Sequence, residues 1–490
     1  MENTKLKTSA FVVQTLATFF ICFLAIQTGF VYAWPSYNVA NFKSNETVLS
    51  TQMSSWHISL LGSLPNIGGI LISPFCGWFF NTLGRKYATM AFGVPYVVTW
   101  SIIYLSGNVT LILIAMAIGG VGVAGQNVSL IYISEISHDS IRGGLTACSA
   151  AGFFLGILIS YILGGYLSYM TVLLTHLTAA VLTILLLAFL PESPVFLVMV
   201  GKEEDAKKSI CFYRRWDIQS KEVEAEIAKI KLTLDPRLEK MLENGETDPE
   251  ATDKLVEKLA MEEEVKSESS WKFLMKSKSS KRALTTTLII TAATIMMGCV
   301  VLQVYAEPMF AVAVPSMPAS QCAIFLALDF LIASILCVVV VDKFGRKSLL
   351  IATSAGSGIC TVLLGSQLQF VWAPHWFTAA LIYGYGFIYT MGSAVIPFIL
   401  IAEVFLPEVR GLCSSMCLSF VWIFNFITLV IFNPLVDAIG LGPVFFLFSF
   451  VCFAGAAYAY FYLPETKGLS ADAIQLLYLK DWGLKTKSRA

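Results

Sequence analysis

The chain has 490 residues, 56% of them hydrophobic and 13% charged. Soluble globular chains carry about 25% charged residues, so this composition excludes most soluble enzymes and makes the lipid bilayer the expected partner. Thirty-three Lys plus Arg balance thirty-three Asp plus Glu, which leaves no basic field to hold nucleic acid.

Charge is absent between residues 8 and 42, 47 and 84, 87 and 134, 144 and 191, 348 and 402, and 438 and 464. A helix needs roughly 20 uncharged residues to cross a hydrocarbon core of about 30 Å, so each longer gap holds two crossings. Turn-like interruptions at Gly107-Asn108, Gly164 to Tyr169 and Trp372 to Trp376 divide them. The expectation is an all-α membrane protein of twelve transmembrane helices. They centre on 10–35, 57–79, 88–106, 110–133, 145–166, 170–190, 284–306, 320–341, 349–370, 377–401, 412–436 and 443–463. The first apolar run, about 25 residues, outlasts a signal-peptide core and is read as retained.

With both termini in the cytoplasm, only Lys43 of the 33 Lys and Arg falls outside, a strong positive-inside bias. Asn45-Glu46-Thr47 then becomes an extracellular glycosylation sequon. Asn108 sits too near the membrane for a glycan and Asn127 lies within a span. The eleven Cys are odd in number and mostly inside apolar stretches, so they read as packing residues rather than disulfides or a zinc site.

The chain repeats itself. GWFFNTLGRK (77–86) is echoed by VVVVDKFGRK (338–347), YISEISHDSIRG (132–143) by LIAEVFLPEVRG (400–411), and LPESP (190–194) by LPETK (463–467). The offsets of 261, 268 and 273 residues mark two tandem six-helix pseudo-repeat halves. The expected organisation is a bundle over 1–190, a cytoplasmic helical linker over 191–282, a second bundle over 283–463 and a cytoplasmic tail over 464–490. In the linker, Val223, Ile227, Ile230 and Leu234 recur at helical spacing, with Glu222, Glu226, Lys229 and Lys231 turned to water. A second linker helix is expected from Asp248-Pro249 to about Val265.

These motifs at this spacing resemble the sugar porter family of the major facilitator superfamily, and within it the insect facilitated trehalose transporter-like branch. The resemblance covers about the whole chain and implies the major facilitator fold with a facilitative sugar carrier working by alternating access. Independently of it, Arg85, Arg142, Arg346 and Arg410 stand at one end of the spans together with Glu135, Glu192, Glu403 and Glu465. Each half can thus offer a ring of opposite charges as a breakable cytoplasmic gate, since exposed ion pairs are worth only about 0–1 kcal/mol. Asn81 stands where the family has Asp, while Asp342 keeps it in the second copy. Asn81 can cap a helix but cannot pair as an anion, so the first-half latch is expected to be the weaker.

For the solute, a path near the midplane asks for hydrogen-bonding groups and an aromatic face. Trp422 and Asn425 match the family's WxxN. Phe398, Gln303, Gln126 and Asn127 are further candidates, each with helix packing as the competing role. Other family ligands are missing: the seventh span has Thr294, Ile295 and Val300 where the family has two Gln and an Asn, the fifth has Ala150 for a Gln, and the fourth has Met116 near the usual arginine. Three or four lost hydrogen bonds at about 0.5–1.5 kcal/mol each amount to hundreds-fold in affinity.

Asp329, alone among mid-span residues in its charge, would cost about 2.5–3.5 kcal/mol to insert and is a functional candidate. It can bind solute hydroxyls, carry a proton, or stay protonated against a neighbour. Glu307 is expected to face water at the outer mouth, and His176 to be a core histidine. The first span lacks the acid found in the family's proton-coupled members, which favours uniport.

The reading is therefore a plasma-membrane carrier of a small polar solute, a hexose or trehalose-like sugar, acting as a monomer. The alternatives are a proton-coupled symporter and a non-transporting nutrient sensor. An enzyme, a cofactor or a metal finds no support in the motifs.

Overall fold

The structure, a computed structural model, describes residues 7–234, 270–469 and 471–480; the side chains of Asn127 and Asp342 lie outside the described residues. The expected linker helix from Asp248 also lies outside them. Ten described helices are long and apolar enough to cross a bilayer. In the first half these are Thr8–Lys43, Ser55–Leu83, Arg85–Leu105, Val109–Ile136, Arg142–Tyr166 and Tyr169–Ala188. In the second they are Ala319–Val341, Arg346–Phe370, Val409–Ile439 and Leu441–Tyr462.

The two remaining expected crossings, the seventh and tenth, are broken helices. The seventh runs Lys278–Met296, stops, and resumes as Cys299–Val304 and Ala306–Ala313. Gly298 makes the break with φ +92, a conformation that costs glycine little, and a Cβ there would lie 2.5 Å from the Phe448 ring. The tenth runs His375–Thr390 and restarts as Ile396–Glu403, with Pro397 in the first turn, where its missing N–H is tolerated. The fourth crossing is jogged between Ala124 and Gln126. Its Gly125, carried forward by the 268-residue repeat, falls on Ser393 inside the tenth span's break. Both halves therefore interrupt the same helix at the same place.

Within the first half the first span packs on the fifth and the second on the fourth; within the second half the ninth packs on the tenth and twelfth. Across the halves, the second span meets the eleventh and the fifth meets the eighth. Small residues permit this closeness: a Cβ at Gly29 would sit 2.4 Å from the Phe153 carbonyl oxygen.

The apolar core is not uniform along the bundle axis. One cluster runs continuously from the first half to the second, through Phe30, Trp34 and Leu61 to Tyr305, Phe310, Trp422 and Phe432. At the end bearing Arg85 and Arg346, called here the charged end, it gives way to two separate clusters. One holds Ile21, Tyr132, Ile133 and Tyr213 of the first half and linker; the other holds Leu274 of the linker's end with Leu349, Val404, Phe405, Ile474 and Tyr478 of the second half and tail.

The linker begins with helices Pro194–Met199, Glu203–Arg214 and Lys221–Leu234, which bury Leu197, Ile210, Val223, Ile227 and Ile230 together. Its charges do not simply face water, as expected from their spacing. Glu226 reaches the buried Arg214 at 3.1 Å, and Lys229 and Lys231 pair with Asp139 and Glu203. Arg214 also donates to the Ile136 and Ser137 carbonyls at 3.2 and 3.1 Å, capping the fourth span.

Candidate functional site: a charged end, a sealed end and the path between

Each half builds the same polar cluster at the charged end. In the first, Gly84 starts the third span at φ +86, and the Glu192 carboxylate accepts the Arg85 and Lys86 backbone N–H groups at 2.9 and 3.0 Å. A carboxylate on the first N–H groups of a helix satisfies donors that have no partner within it. Burial pushes the Glu192 carboxyl up, against the pull of the Lys86, Ser193 and Arg85 N–H groups. A Cβ at Gly84 would lie 2.4 Å from Glu192 Oε2, so the glycine is needed for space as well as for backbone angle.

The Arg85 guanidinium then turns to Glu135: Nε donates at 3.0 and 2.9 Å and Nη2 at 2.8 Å, while Nη1 takes the Phe80 carbonyl at 3.3 Å. In the second half Gly345, at φ +82, opens the ninth span, and Glu465 accepts the Arg346 and Lys347 N–H groups at 2.8 and 3.2 Å. Arg346 Nη2 donates to Glu403 at 2.8 Å.

Two residues passed over in the sequence complete these clusters. Ser193 donates to Glu135, and Thr466 donates to Glu403 at 3.0 Å. They occupy equivalent positions, one after the Glu of LPES and one after that of LPET, which was the available signal.

Of the expected gate residues, then, Arg85, Glu135 and Glu192 come together, as do Arg346, Glu403 and Glu465. Arg142 stands apart, paired with Asp139 and donating to the Ser134 carbonyl at 3.0 Å. A hydrogen bond from Lys229 holds the Asp139 carboxyl below its ordinary value. Arg410 is spent on the Phe405 carbonyl at 3.3 Å. Asn81 is exposed and the start of the third span is capped by Glu192 instead. The pairs also differ from the exposed kind that a weak gate requires: the Arg85 and Glu135 side chains are only 10% and 12% exposed.

At the opposite end the halves are stitched together by bonds that no sequence pattern marks. Tyr305 donates to the Ile58 and Ser59 carbonyls at 3.2 and 3.4 Å and stacks on Phe432 with centroids 5.7 Å apart. Asn433 reaches Ser59 at 3.1 Å, Tyr161 donates to the Gln303 carbonyl at 2.7 Å, and the Glu307 N–H donates to Ser36 at 2.9 Å. At the charged end, by contrast, a Cβ added at Gly77, Gly143, Gly144 or Gly411 would meet no atom within 4 Å.

Between the ends, the candidate solute residues occupy distinct settings. Trp422 lies across the halves against the second span, its ring 2.8 Å from where a Gly69 Cβ would be, and its buried Nε1 has no partner among the described residues. Asn425 follows one turn along and is half-buried; Gln126 and Gln303 are also half-buried, beside the breaks of the fourth and seventh spans. Phe398 is 46% exposed on the resumed tenth span. Asp329 is half-buried, and its Oδ2, with no described partner, faces the tenth span 3.5 Å from where a Gly386 Cβ would be. His176 is buried and stacked on Phe30 at 4.3 Å, a packing role. Asn45 is exposed in the loop after the first span.

The model of the family described as "Sugar (and other) transporter" matches residues 10–237 and 235–478. Facilitated trehalose transporter Tret1 of Aedes aegypti is 25% identical over 94% of this chain and 54% of its own length. The Culex quinquefasciatus counterpart is 24% identical over 94% of this chain and 85% of its own length. The chain thus spans about half the length of the Aedes relative. Among solved structures, the partially occluded inward open conformation of the xylose transporter XylE from E. coli superposes with a TM-score of 0.72 at 20% identity, over 95% of this chain and 100% of that one. With its family model matched from one half through the other, this multi-pass membrane protein belongs to the sugar (and other) transporter family.

Proposed function

We propose that the chain is a facilitative carrier of a sugar, a hexose or a trehalose-like disaccharide, and that it works by rocking its two halves about a central path. The observation that carries this reading is the asymmetry of the core: one apolar cluster joins the halves at the sealed end and divides into two at the charged end. A carrier that alternates access needs such a division, closed on one side of the solute and parted on the other. The charged end is read as cytoplasmic on the positive-inside bias, with both termini on that side and the protein in the plasma membrane. The expected domain division, glycosylation at Asn45 and monomeric state belong to the same reading.

Trp422 and Asn425 are assigned to the solute, with Gln303, Gln126 and Phe398 bordering the path and Asn127 a candidate on the sequence alone. The buried Trp422 N–H, with no partner among the described residues, is a donor available to a solute hydroxyl, and the ring offers the flat face that sugar C–H groups pack on. The test is counterflow in liposomes with labelled glucose, trehalose, fructose and polyols. Saturable counterflow of a sugar, lost in Asn425→Ala, is expected; no counterflow of any of them would move the protein to the sensor class.

A proton-coupled symporter is the second reading, favoured by the Asp329 Oδ2, which has no partner among the described residues. Under uniport, uptake is unchanged by a pH gradient and Asp329→Asn keeps it within about twofold, the size of one weak hydrogen bond. Uptake that collapses with a protonophore and in Asp329→Asn would establish coupling.

A further inference from the structure

We propose that the helix Ser270–Lys276 and the first turns of the seventh span form a docking face for anionic phospholipid headgroups. Lys272, Lys276, Lys278, Lys281 and Arg282 lie within a stretch, residues 269–306, that holds no Asp or Glu. The helix is anchored by Leu274, 3% exposed in the cluster with Val409, Cys413 and Ala283. That anchor turns Trp271 and Met275, one helical turn apart, outward at 53% and 52% exposure. Lys272, Lys278 and Lys281 are exposed beside them.

From Ala283 onward the chain carries no charge until Glu307, so this face lies where the seventh span enters the bilayer. An indole with its apolar ring and polar N–H settles at that depth, and clustered ammonium groups there complement acidic headgroups. Arg282 adds a link to the tail: it holds the Tyr478 and Leu479 carbonyls, each at 3.1 Å, at the end of the helix Ala471–Lys480. A lipid seated on the neighbouring cations would therefore brace the tail helix against the second half.

The experiment uses the full chain in nanodiscs of phosphatidylcholine with either brominated phosphatidylcholine or brominated phosphatidylserine, reading tryptophan quenching. Brominated phosphatidylserine is expected to quench more at equal mole fraction, and Trp271→Phe to remove the increment. Each cation near an anionic surface strengthens attraction about fivefold, so the triple variant Lys272→Gln, Lys278→Gln, Lys281→Gln is expected to weaken the apparent lipid affinity roughly 100-fold. Raised salt acts the same way on the wild type, and the corresponding triple Arg variant keeps the increment. An increment that survives the triple Gln variant and high salt overturns the proposal. So does equal quenching by the two lipids, which would leave the face to the chain's own acidic stretch at 262–264. Nanodiscs present the same lipid to both ends, so the outcome is independent of the solute and the orientation proposed above.

Discussion

Arg85 and Arg346 stand at the same position in the two halves, yet their surroundings differ. Arg85 places both Nε and Nη2 on Glu135, keeps Nη1 on Phe80, and lies over the Phe196 ring at 5.3 Å. Arg346 reaches Glu403 through Nη2, while its Nε is buried without a described partner. Glu403 is 29% exposed where Glu135 is 12%. The family resemblance makes Asn81, in place of Asp, the mark of a weaker first-half latch; among the described residues, which leave out the Asp342 side chain, Arg85 has more of its donors met than Arg346. Pairing strength follows how many of a guanidinium's five donors are met.

The comparison breaks most visibly if each glutamate is neutralised. Removing one partner of a buried pair costs about 3–5 kcal/mol, because the remaining charge is left in a poorly solvated site. Glu135→Gln should show that full penalty, as a large fall in the thermal unfolding midpoint. Glu403→Gln removes one charge-assisted bond from a carboxylate that is already 29% exposed, worth about 1.5–3 kcal/mol, and should fall less. Equal falls would mean that the two clusters are energetically alike despite their geometry.

The contrast between the sealed and charged ends can be sharpened at Tyr305. Tyr305→Phe keeps the stacking on Phe432 and deletes the bonds to Ile58 and Ser59. A lost hydrogen bond of about 0.5–1.5 kcal/mol shifts a two-state balance roughly 2- to 12-fold, here away from closure at that end. Alkylation of a cysteine at Ser63, buried below the seal, should accelerate by that factor; an unchanged rate would remove Tyr305 from the seal.

Much of this was legible in the residues. The crossings follow from where charge is absent, and the halves from strings that recur in the same order at nearly equal offsets. The breaks in the seventh and tenth spans were not, because an apolar run looks the same whether or not Gly298 takes a left-handed backbone. Membership of the charged clusters could be read from the repeat, but Arg142 and Arg410 could not be told from Arg85 and Arg346 without the turn that aims them elsewhere. The seal was illegible for a different reason: Tyr305, Asn433 and Ser59 come from three spans in two halves, and no local pattern marks residues that meet only in the folded state. For the solute path, residue types pointed to Trp422 and Asn425, while the apposition of Trp422 to Gly69 needed the helices in place.

The smallest expected effect is at Asn81, and it separates the stability of a cluster from the rate at which the halves part. The side chain is exposed and takes no part in holding Arg85, so Asn81→Asp should leave the unfolding midpoint of this state within the range of an ordinary surface change, about ±0.5 kcal/mol. Its influence would appear only when the charged ends approach and the added carboxylate meets the arginines of the other half. There it would stabilise the closed arrangement by an ion pair of about 0–1 kcal/mol, slowing the opening of that end up to roughly fivefold. Counterflow rates and cysteine labelling from the charged end, measured beside the midpoint, distinguish the cases. A slower rate at constant midpoint places Asn81 in the moving gate. A lower midpoint places it in the resting cluster, against the geometry. No change in either makes position 81 a surface residue and leaves Glu135 and Glu192 to hold the first half alone.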